Sequence, residues 1–358
     1  MPSLPIPISP AKFRADMALD LLLDEFASRR PAALARAISL VENGRDGFEE
    51  LLAALHPRVG RARRVGLTGP PGAGKSTLAE RLVQAWRADG LTVGVVAVDP
   101  TSPFTGGALL GDRIRMESVA LDPGVFIRSM ATRGSLGGLA TATREVADLL
   151  DAYGFDRILV ETVGVGQSEL DVSRMADSSV LVLVPESGDG IQTLKSGVME
   201  IADLFVVNKA DRPGADKLRQ EIEVTLGIRR GNAFRHVPAH HGALKAGRAA
   251  APADDGNWRQ PVLATVAPKG EGVPELVAAL DRHHAWLGTS GELGRRRERR
   301  LAERTREVVE RAVRRWMWDE TGADTRIRDT LPAIAAGRTS PYEVAAGILD
   351  DLREGSRP

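Results

Sequence analysis

Apolar positions along the chain change their period twice, dividing it into three zones. Up to about residue 60 the spacing is helical. Leu19, Leu22, Leu23 and Phe26 recur three and four apart, and Leu34, Ile38 and Val41 repeat the pattern. The second of these helices is predicted to begin at Pro31, where a missing N–H costs little, and to stop at Gly44. A third, short helix carries Phe48, Leu51, Leu52 and Leu55 before Pro57. From Arg61 to about Trp286, short apolar runs alternate with helical segments. The runs read as strands are Val65–Thr68, Val93–Val98, Val125–Ser129, Arg157–Glu161, Val180–Val184, Leu204–Asn208 and Val262–Val266. Near-continuous apolar strands with amphipathic helices between them predict an α/β domain whose mostly parallel sheet is buried on both faces. The stretch Ala249–Gly256 reads as a surface insertion.

The third zone starts near Thr289 and opens with a basic run, Arg295 to Arg300, broken only by Glu298. That run is read as a solvated helix face. The helix after it carries Leu301, Thr305, Val308, Ala312, Val313 and Trp316 on one stripe. The stripe needs a partner, either the central domain or a second copy of the chain. The expected organisation is a helical extension over 1–60, an α/β domain over 61–288 and a helical arm over 289–358. No internal repeat is found.

Composition narrows the function classes. Lys and Arg number 48 against 48 Asp and Glu in 358 residues, so the formal net charge is zero. That balance offers no electrostatic case for a nucleic-acid or anionic-membrane partner. The absence of cysteine excludes disulfides, thiolate zinc sites, iron–sulfur clusters and cysteine nucleophiles. Met1-Pro-Ser-Leu-Pro5 lacks the basic and apolar regions of a signal peptide, and no stretch approaches the ~18 apolar residues of a membrane helix. The expectation is a soluble, cytoplasmic protein.

The strongest chemical signal follows the first strand. Gly69, Pro70, Pro71, Gly72, Ala73, Gly74, Lys75, Ser76 and Thr77 fit G-x-x-x-x-G-K-[ST], and a helix through Leu78 and Leu82 comes next. Glycines let backbone N–H groups curl around phosphates, and the helix N-terminus adds positive potential. Lys75 is placed to reach the β and γ phosphates, and Ser76 offers its hydroxyl to Mg²⁺. A nucleoside triphosphate is the implied ligand.

The base is read from Asn208-Lys209-Ala210-Asp211, at the end of the strand Leu204–Asn208. A carboxylate at Asp211 accepts from the two adjacent N–H donors on guanine's Watson–Crick edge, whereas adenine presents one donor beside an acceptor. A pocket built around a required hydrogen bond discriminates by roughly 10⁴-fold or more. Asn208 would tie this loop to the phosphate loop, and the stem of Lys209 would cover the base. The reading is GTP, not ATP.

Acidic residues between these motifs are the candidates for Mg²⁺. Asp99 ends the strand Val93–Val98, Asp112 follows Gly111, and Glu161 ends the strand Arg157–Glu161. Mg²⁺ takes oxygen ligands and keeps several waters, so Asp99, Asp112 and Glu161 act directly or through water. Helix capping by Asp112 and a supporting role for Glu161 are the competing readings. Gly164 is placed to donate its N–H to the γ-phosphate, making 164–169 a segment that orders with GTP and relaxes after hydrolysis. Gln167, three residues later, is a candidate for positioning water.

Taken together these motifs resemble the MeaB/ArgK family of P-loop GTPases, known in mitochondria as MMAA, which accompany adenosylcobalamin-dependent methylmalonyl-CoA mutases. The resemblance rests on Arg36 to Glu42, Gly69 to Thr77, Asp99 to Pro103 and Gly106 to Arg113. It extends over Glu161 to Glu169, Gly197 to Asp203 leading into Asn208–Asp211, and Ser340-Pro341-Tyr342. It implies a Rossmann-like G domain flanked by an N-terminal helical extension and a C-terminal helical dimerisation arm. Lys75, Ser76, Asp99, Asp112 and Glu161 match the family's phosphate, magnesium and catalytic positions. Asp189 and Lys195, in the segment 185–195, match a further switch loop that communicates with the mutase.

The resemblance also implies GTP hydrolysis with Mg²⁺, a homodimer, and an acyl-CoA mutase and its adenosyltransferase as candidate partners. No Asp-x-His-x-x-Gly motif occurs, so cobalamin is expected on the partner and not on this chain. One departure is the last base-contacting loop, Thr265-Val266-Ala267-Pro268, where relatives often carry Ser-Ala. Backbone amides at Val266 and Ala267 can still face the guanine oxygen, but a hydroxyl contact is lost.

Two other readings stay open. The six histidines, with His240-His241 adjacent, raise a metal-delivering GTPase, although such relatives use cysteine or denser histidine clusters. A P-loop kinase acting on a small molecule or protein is the third, and phosphate release to water or transfer to an acceptor separates it.

Overall fold

A computed structural model of the chain describes residues 10–100, 116–132, 138–162, 172, 174–185, 198–229 and 256–355. Contacts divide the chain into two compact units, Met1–Gly294 and Arg295–Pro358.

The first unit begins with three helices, α1 (Pro10–Ala27), α2 (Pro31–Glu42) and α3 (Phe48–Leu55). Seven strands follow: β1 (Arg63–Thr68), β2 (Val93–Pro100), β3 (Val125–Thr132), β4 (Arg157–Thr162), β5 (Ser178–Leu183), β6 (Leu204–Asn208) and β7 (Val262–Thr265). Between and after them lie α4 (Lys75–Ala88), α5 (Glu117–Ala120), α6 (Gly138–Tyr153), α7 (Val198–Ile201), α8 (Ala215–Arg229) and α9 (Val273–Thr289). All seven apolar runs read as strands therefore pair. They form one sheet in the order β3-β2-β4-β1-β5-β6-β7, and every pairing is parallel.

The apolar runs are continuous because both faces are covered. Val180 and Val182 of β5 enter a core with Leu78, Leu82 and Trp86 of α4 and Leu276 and Leu280 of α9. Leu181 and Leu183 point the other way, into a core with Leu218 and Ile222 of α8. Strand β6 divides in the same manner, with Leu204 and Val206 on one face and Phe205 and Val207 on the other. A period of two with apolar residues at both phases is the pattern of a doubly covered parallel sheet.

The N-terminal helices complete one of those faces. Ala33, Leu34, Ala37, Ile38 and Val41 of α2 are buried, in a core shared with Val146, Leu149 and Leu150 of α6 and with Val96, Ile158 and Val160 of the sheet. Full burial of a side chain such as Leu34 or Ile38 contributes about 1.5–3 kcal/mol. Glu42 pairs with Arg128 on β3, and Arg36 with Glu25 on α1. The stretch 36–42 thus supplies both an apolar stripe and charged ends that fasten α2 on two sides.

Strand β1 starts two residues earlier than its apolar run, at Arg63. There it pairs in register with Arg157 of β4, and the next residue enters a buried charge cluster. Arg64 donates to Asp148 at 2.7 Å and to Asp151 at 2.8 Å. Burial opposes its charge, but the two carboxylates outweigh that and hold the guanidinium above its ordinary pKa. Asp151 also accepts from the Gly60, Arg61 and Ala62 amides at 2.9, 3.0 and 2.9 Å. One carboxylate therefore pins the junction between the helical zone and the sheet.

The helix α10 (Glu292–Arg315) runs across the boundary between the units. In the second unit, α11 (Ala323–Ala335) and α12 (Pro341–Arg353) pack on each other. Ser340 caps α12 by accepting from the Glu343 amide at 3.2 Å, while Glu343 accepts from the Ser340 amide at 2.8 Å, and Pro341 occupies the first turn. No residue of α10 is buried in the single chain. Leu301, Val309, Val313, Trp316, Trp318 and Leu331 remain exposed. Among the described residues no helix is long and apolar enough to cross a membrane.

Candidate nucleotide site

The parallel sheet places the C-terminal ends of β1, β2, β4 and β6 on one edge. The chain steps from β1 to β2 on one side and later from β4 to β5 on the other, so β1 marks the switch point where such sheets bind ligands. The glycine-rich turn leaves the sheet at that point. Gly69 has φ +140°, and a Cβ there would lie 2.1 Å from the Val182 carbonyl oxygen of β5. Gly74 has φ +82°, with an added Cβ 2.5 Å from Asn208 Nδ2. Neither position accepts a side chain without displacing a neighbour. Helix α4 begins at the next residue, Lys75, which puts the free amides of its first turn at the mouth of the loop.

Lys75 is buried, and its Nζ donates to the Gly69 carbonyl at 2.7 Å and the Pro70 carbonyl at 2.9 Å. Ser76 Oγ donates to Glu161 Oε1 at 2.6 Å. Glu161 lies beside Leu67 of β1 and Ala97 of β2 in the sheet register, so β4 delivers its carboxylate to the start of α4. These two groups form an all-oxygen pair, the donor chemistry that Mg²⁺ takes. Among the described residues no group of three or more His, Asp or Glu side chains gathers to hold a metal by itself. Asp99 is the seventh residue of β2, and its backbone pairs with Ala131. Its side chain lies outside what is described, as do the residues Asp112, Gly164, Gln167, Asp189 and Lys195.

Asn208 joins three segments. Its Nδ2 donates to the Ala73 carbonyl of the glycine-rich loop at 2.8 Å. Its Oδ1 accepts from Thr265 Oγ1 at 3.0 Å and from the Ala267 amide at 3.1 Å. The side chain is buried, and the tie to the phosphate loop inferred from the motif is present. Lys209 has φ +57°, uncommon for a residue with a side chain. This left-handed step turns the chain out of β6, where the Ala210 amide donates to Thr265 O at 3.0 Å and Asp211 is exposed.

The loop after β7 differs from expectation in one detail. The Val266 amide does not point freely at a base, because it donates to the Glu271 carbonyl at 3.0 Å in an antiparallel bridge. The Ala267 amide faces Asn208, and Pro268 has none. Two polar residues were given no role of their own by the motif reading. Thr265 pairs in register with Asn208 across β6 and β7, and its hydroxyl completes the Asn208 cluster. Arg81 on α4 donates from Nε to the Ala267 carbonyl at 3.1 Å and from Nη2 to the Pro268 carbonyl. No local signal marks Arg81, whose acceptors lie far along the chain.

Among the histidines, His283 is fully buried and sits 2.7 Å from Ser178 Oγ and 3.4 Å from Asp203 Oδ1, against Trp258 and stacked with Trp286. These contacts fasten α9 to the start of β5, away from the nucleotide edge. His240 and His241 lie outside the described residues.

Residues 34–322 match the family model described as methylmalonyl-CoA mutase-associated GTPase MeaB. A putative GTPase of Pyrococcus abyssi is 45% identical over 345 residues, covering 94% of this chain and 98% of that protein. The mouse mitochondrial methylmalonic aciduria type A homolog is 36% identical over 358 residues, covering 92% of this chain and 79% of that protein. Among solved structures, a LAO/AO transport system kinase aligns over 97% of this chain and all of its own, with 27% identity and a TM-score of 0.64.

Proposed function

Because the chain belongs to the MeaB family of methylmalonyl-CoA mutase-associated GTPases, we propose that GTP binding and hydrolysis switch its grip on an adenosylcobalamin-dependent acyl-CoA mutase. In this reading the switch gates loading of the mutase with its cofactor and protects or reactivates the mutase. The cobalamin stays on the partner, and its adenosyltransferase is a second candidate contact. The working form is a cytoplasmic homodimer joined through the arm 289–358.

The observation that carries the nucleotide half of the reading is the Asn208 cluster. One buried amide holds the glycine-rich loop, the Asn208–Asp211 turn and the Thr265–Pro268 loop together at one sheet edge. Phosphates are bound by backbone amides of the loop Gly69–Thr77 and by Lys75, whose ammonium leaves the loop carbonyls for the phosphate oxygens. Asp211 accepts from guanine, and the Lys209 stem covers the ring. Mg²⁺, when bound, neutralises charge developing on the β and γ phosphate oxygens. Ser76 and Glu161 fit as its oxygen partners, with Asp99 and Asp112 proposed to complete the set directly or through water. Gly164 is proposed to donate to the γ-phosphate, so that 164–169, with Gln167, responds to hydrolysis. Asp189 and Lys195 would pass that response to the mutase.

The test mixes purified protein with a purified adenosylcobalamin-dependent acyl-CoA mutase, once with a non-hydrolysable GTP analogue and once with GDP. The expected result is a complex whose affinity or composition differs between the two nucleotides. No complex in either state would sink the chaperone reading. Transfer of phosphate to an added acceptor in place of water would favour a kinase.

A further inference from the structure

We propose that Arg81 is a positioning residue for guanine recognition, setting the Thr265–Pro268 loop from the phosphate-loop helix. The inference rests on the reading of this edge as a guanine-nucleotide site and adds a residue that no motif contains.

Several hydrogen bonds determine where that loop sits. Thr265 Oγ1 and the Ala267 amide meet Asn208 Oδ1, the Val266 amide is bound to Glu271 O, and Arg81 grips the loop from outside through the carbonyls of Ala267 and Pro268. Val266 brings no hydroxyl to the loop, so its placement depends on backbone contacts. The Ala267 N–H is held by Asn208, and the Ala267 C=O, in the next peptide group, accepts from Arg81 and from the Gly270 amide at 3.1 Å. Without Arg81 the Ala267 carbonyl keeps only the Gly270 amide and the Pro268 carbonyl loses its Arg81 bond, so the loop is held less firmly against helix α4. Pro268 has no N–H of its own with which to restore a bond.

Arg81 is itself held in place. It is half-buried, and its Nη1 donates to Gln84 Oε1 at 3.0 Å. Gln84 in turn donates to Ser118 Oγ on α5 at 2.7 Å, and Ser118 donates to Glu80. The guanidinium is therefore fixed by its own helix and by the helix that precedes β3. It reaches two successive carbonyls with two different nitrogens, which the planar fork of Arg permits and the single ammonium of Lys does not. Helix α4 also carries Lys75 and Ser76, so Arg81 ties the Thr265–Pro268 loop to the same helix that begins at the phosphate-binding residues.

The experiment compares wild type, R81A and R81K by calorimetry with GDP and Mg²⁺, and by competition with inorganic tripolyphosphate, which lacks a base. Loss of charge-assisted hydrogen bonds at a partly exposed site predicts a GDP affinity about tenfold weaker in R81A. R81K should fall between R81A and wild type. Tripolyphosphate affinity should stay within about twofold of wild type in all three, because Lys75 and the loop amides are untouched. Equal weakening of GDP and tripolyphosphate would mean that Arg81 merely supports helix α4, and unchanged GDP affinity in R81A would also overturn the assignment. Wild-type protein that binds tripolyphosphate but discriminates no base would remove the guanine reading itself, and this inference with it.

Discussion

Substitution of Asn208 by alanine tests the architecture of the site most directly. The side chain is 1% exposed and makes three hydrogen bonds, at 2.8, 3.0 and 3.1 Å, to two other segments, the glycine-rich loop and the Thr265–Pro268 loop. At roughly 1 kcal/mol for each net bond, their removal costs about 3 kcal/mol, before any penalty for the stranded Ala73 carbonyl and Ala267 amide. If that loss falls on the nucleotide-competent arrangement of the loops, affinity drops by about 100-fold, since each 1.4 kcal/mol is a factor of ten. Asn208→Asp divides the effect. It keeps an acceptor for Thr265 and Ala267 but sets a carboxylate oxygen against the Ala73 carbonyl, so only the tie to the phosphate loop turns repulsive. The assay is dissociation of a fluorescent GDP analogue by stopped flow, with thermal unfolding as a control for folding. Both variants should release nucleotide faster, with Asn208→Ala folded at 25 °C. A folded Asn208→Ala protein that holds GDP within about twofold of wild type would refute the view that this amide organises the site.

Three further outcomes are expected. Lys75→Ala should abolish hydrolysis and weaken GTP binding, because the side-chain cation proposed to reach the phosphates is removed; phosphate release at the wild-type rate would assign that role elsewhere. Asp211→Asn should move preference from GTP toward xanthosine triphosphate, whose base presents an acceptor where guanine presents a donor, and unaltered selectivity in competition binding would displace the base site. Removal of Arg295–Pro358 should yield monomers by analytical ultracentrifugation, because it deletes the exposed Leu301 and Val313 of α10 and the exposed Trp316 that follows it, along with α11 and α12. A truncated protein that still dimerises would place the interface in the first unit.

The candidate site was legible wherever its residues are local in the chain. The phosphate loop needs glycines, a lysine and a hydroxyl at fixed spacing between a strand and a helix, and all of these lie within nine consecutive residues. The Asn208–Asp211 turn is equally compact. Contacts made across the fold left no such trace. Arg81 looks like any polar residue on an amphipathic helix until β7 brings the Ala267 and Pro268 carbonyls over it. The Val266 amide looked available for a base until the bridge to Glu271 engaged it. Arg64 stands before the apolar run of the first strand, yet Asp148 and Asp151, delivered by α6, pair with it inside β1.

By itself the amino-acid sequence determined the seven strands, because a sheet covered on both faces demands unbroken apolar runs that need no knowledge of their neighbours. It likewise determined the phosphate and guanine motifs, whose geometry is set by backbone conformation over a few residues. The tertiary structure alone decided the strand order, the union of three loops on Asn208, the approach of Glu161 to Ser76 and the grip of Arg81. Each of these joins groups separated by dozens of residues or more. Such pairings are selected by how the cores pack, and packing is a property of the whole folded domain.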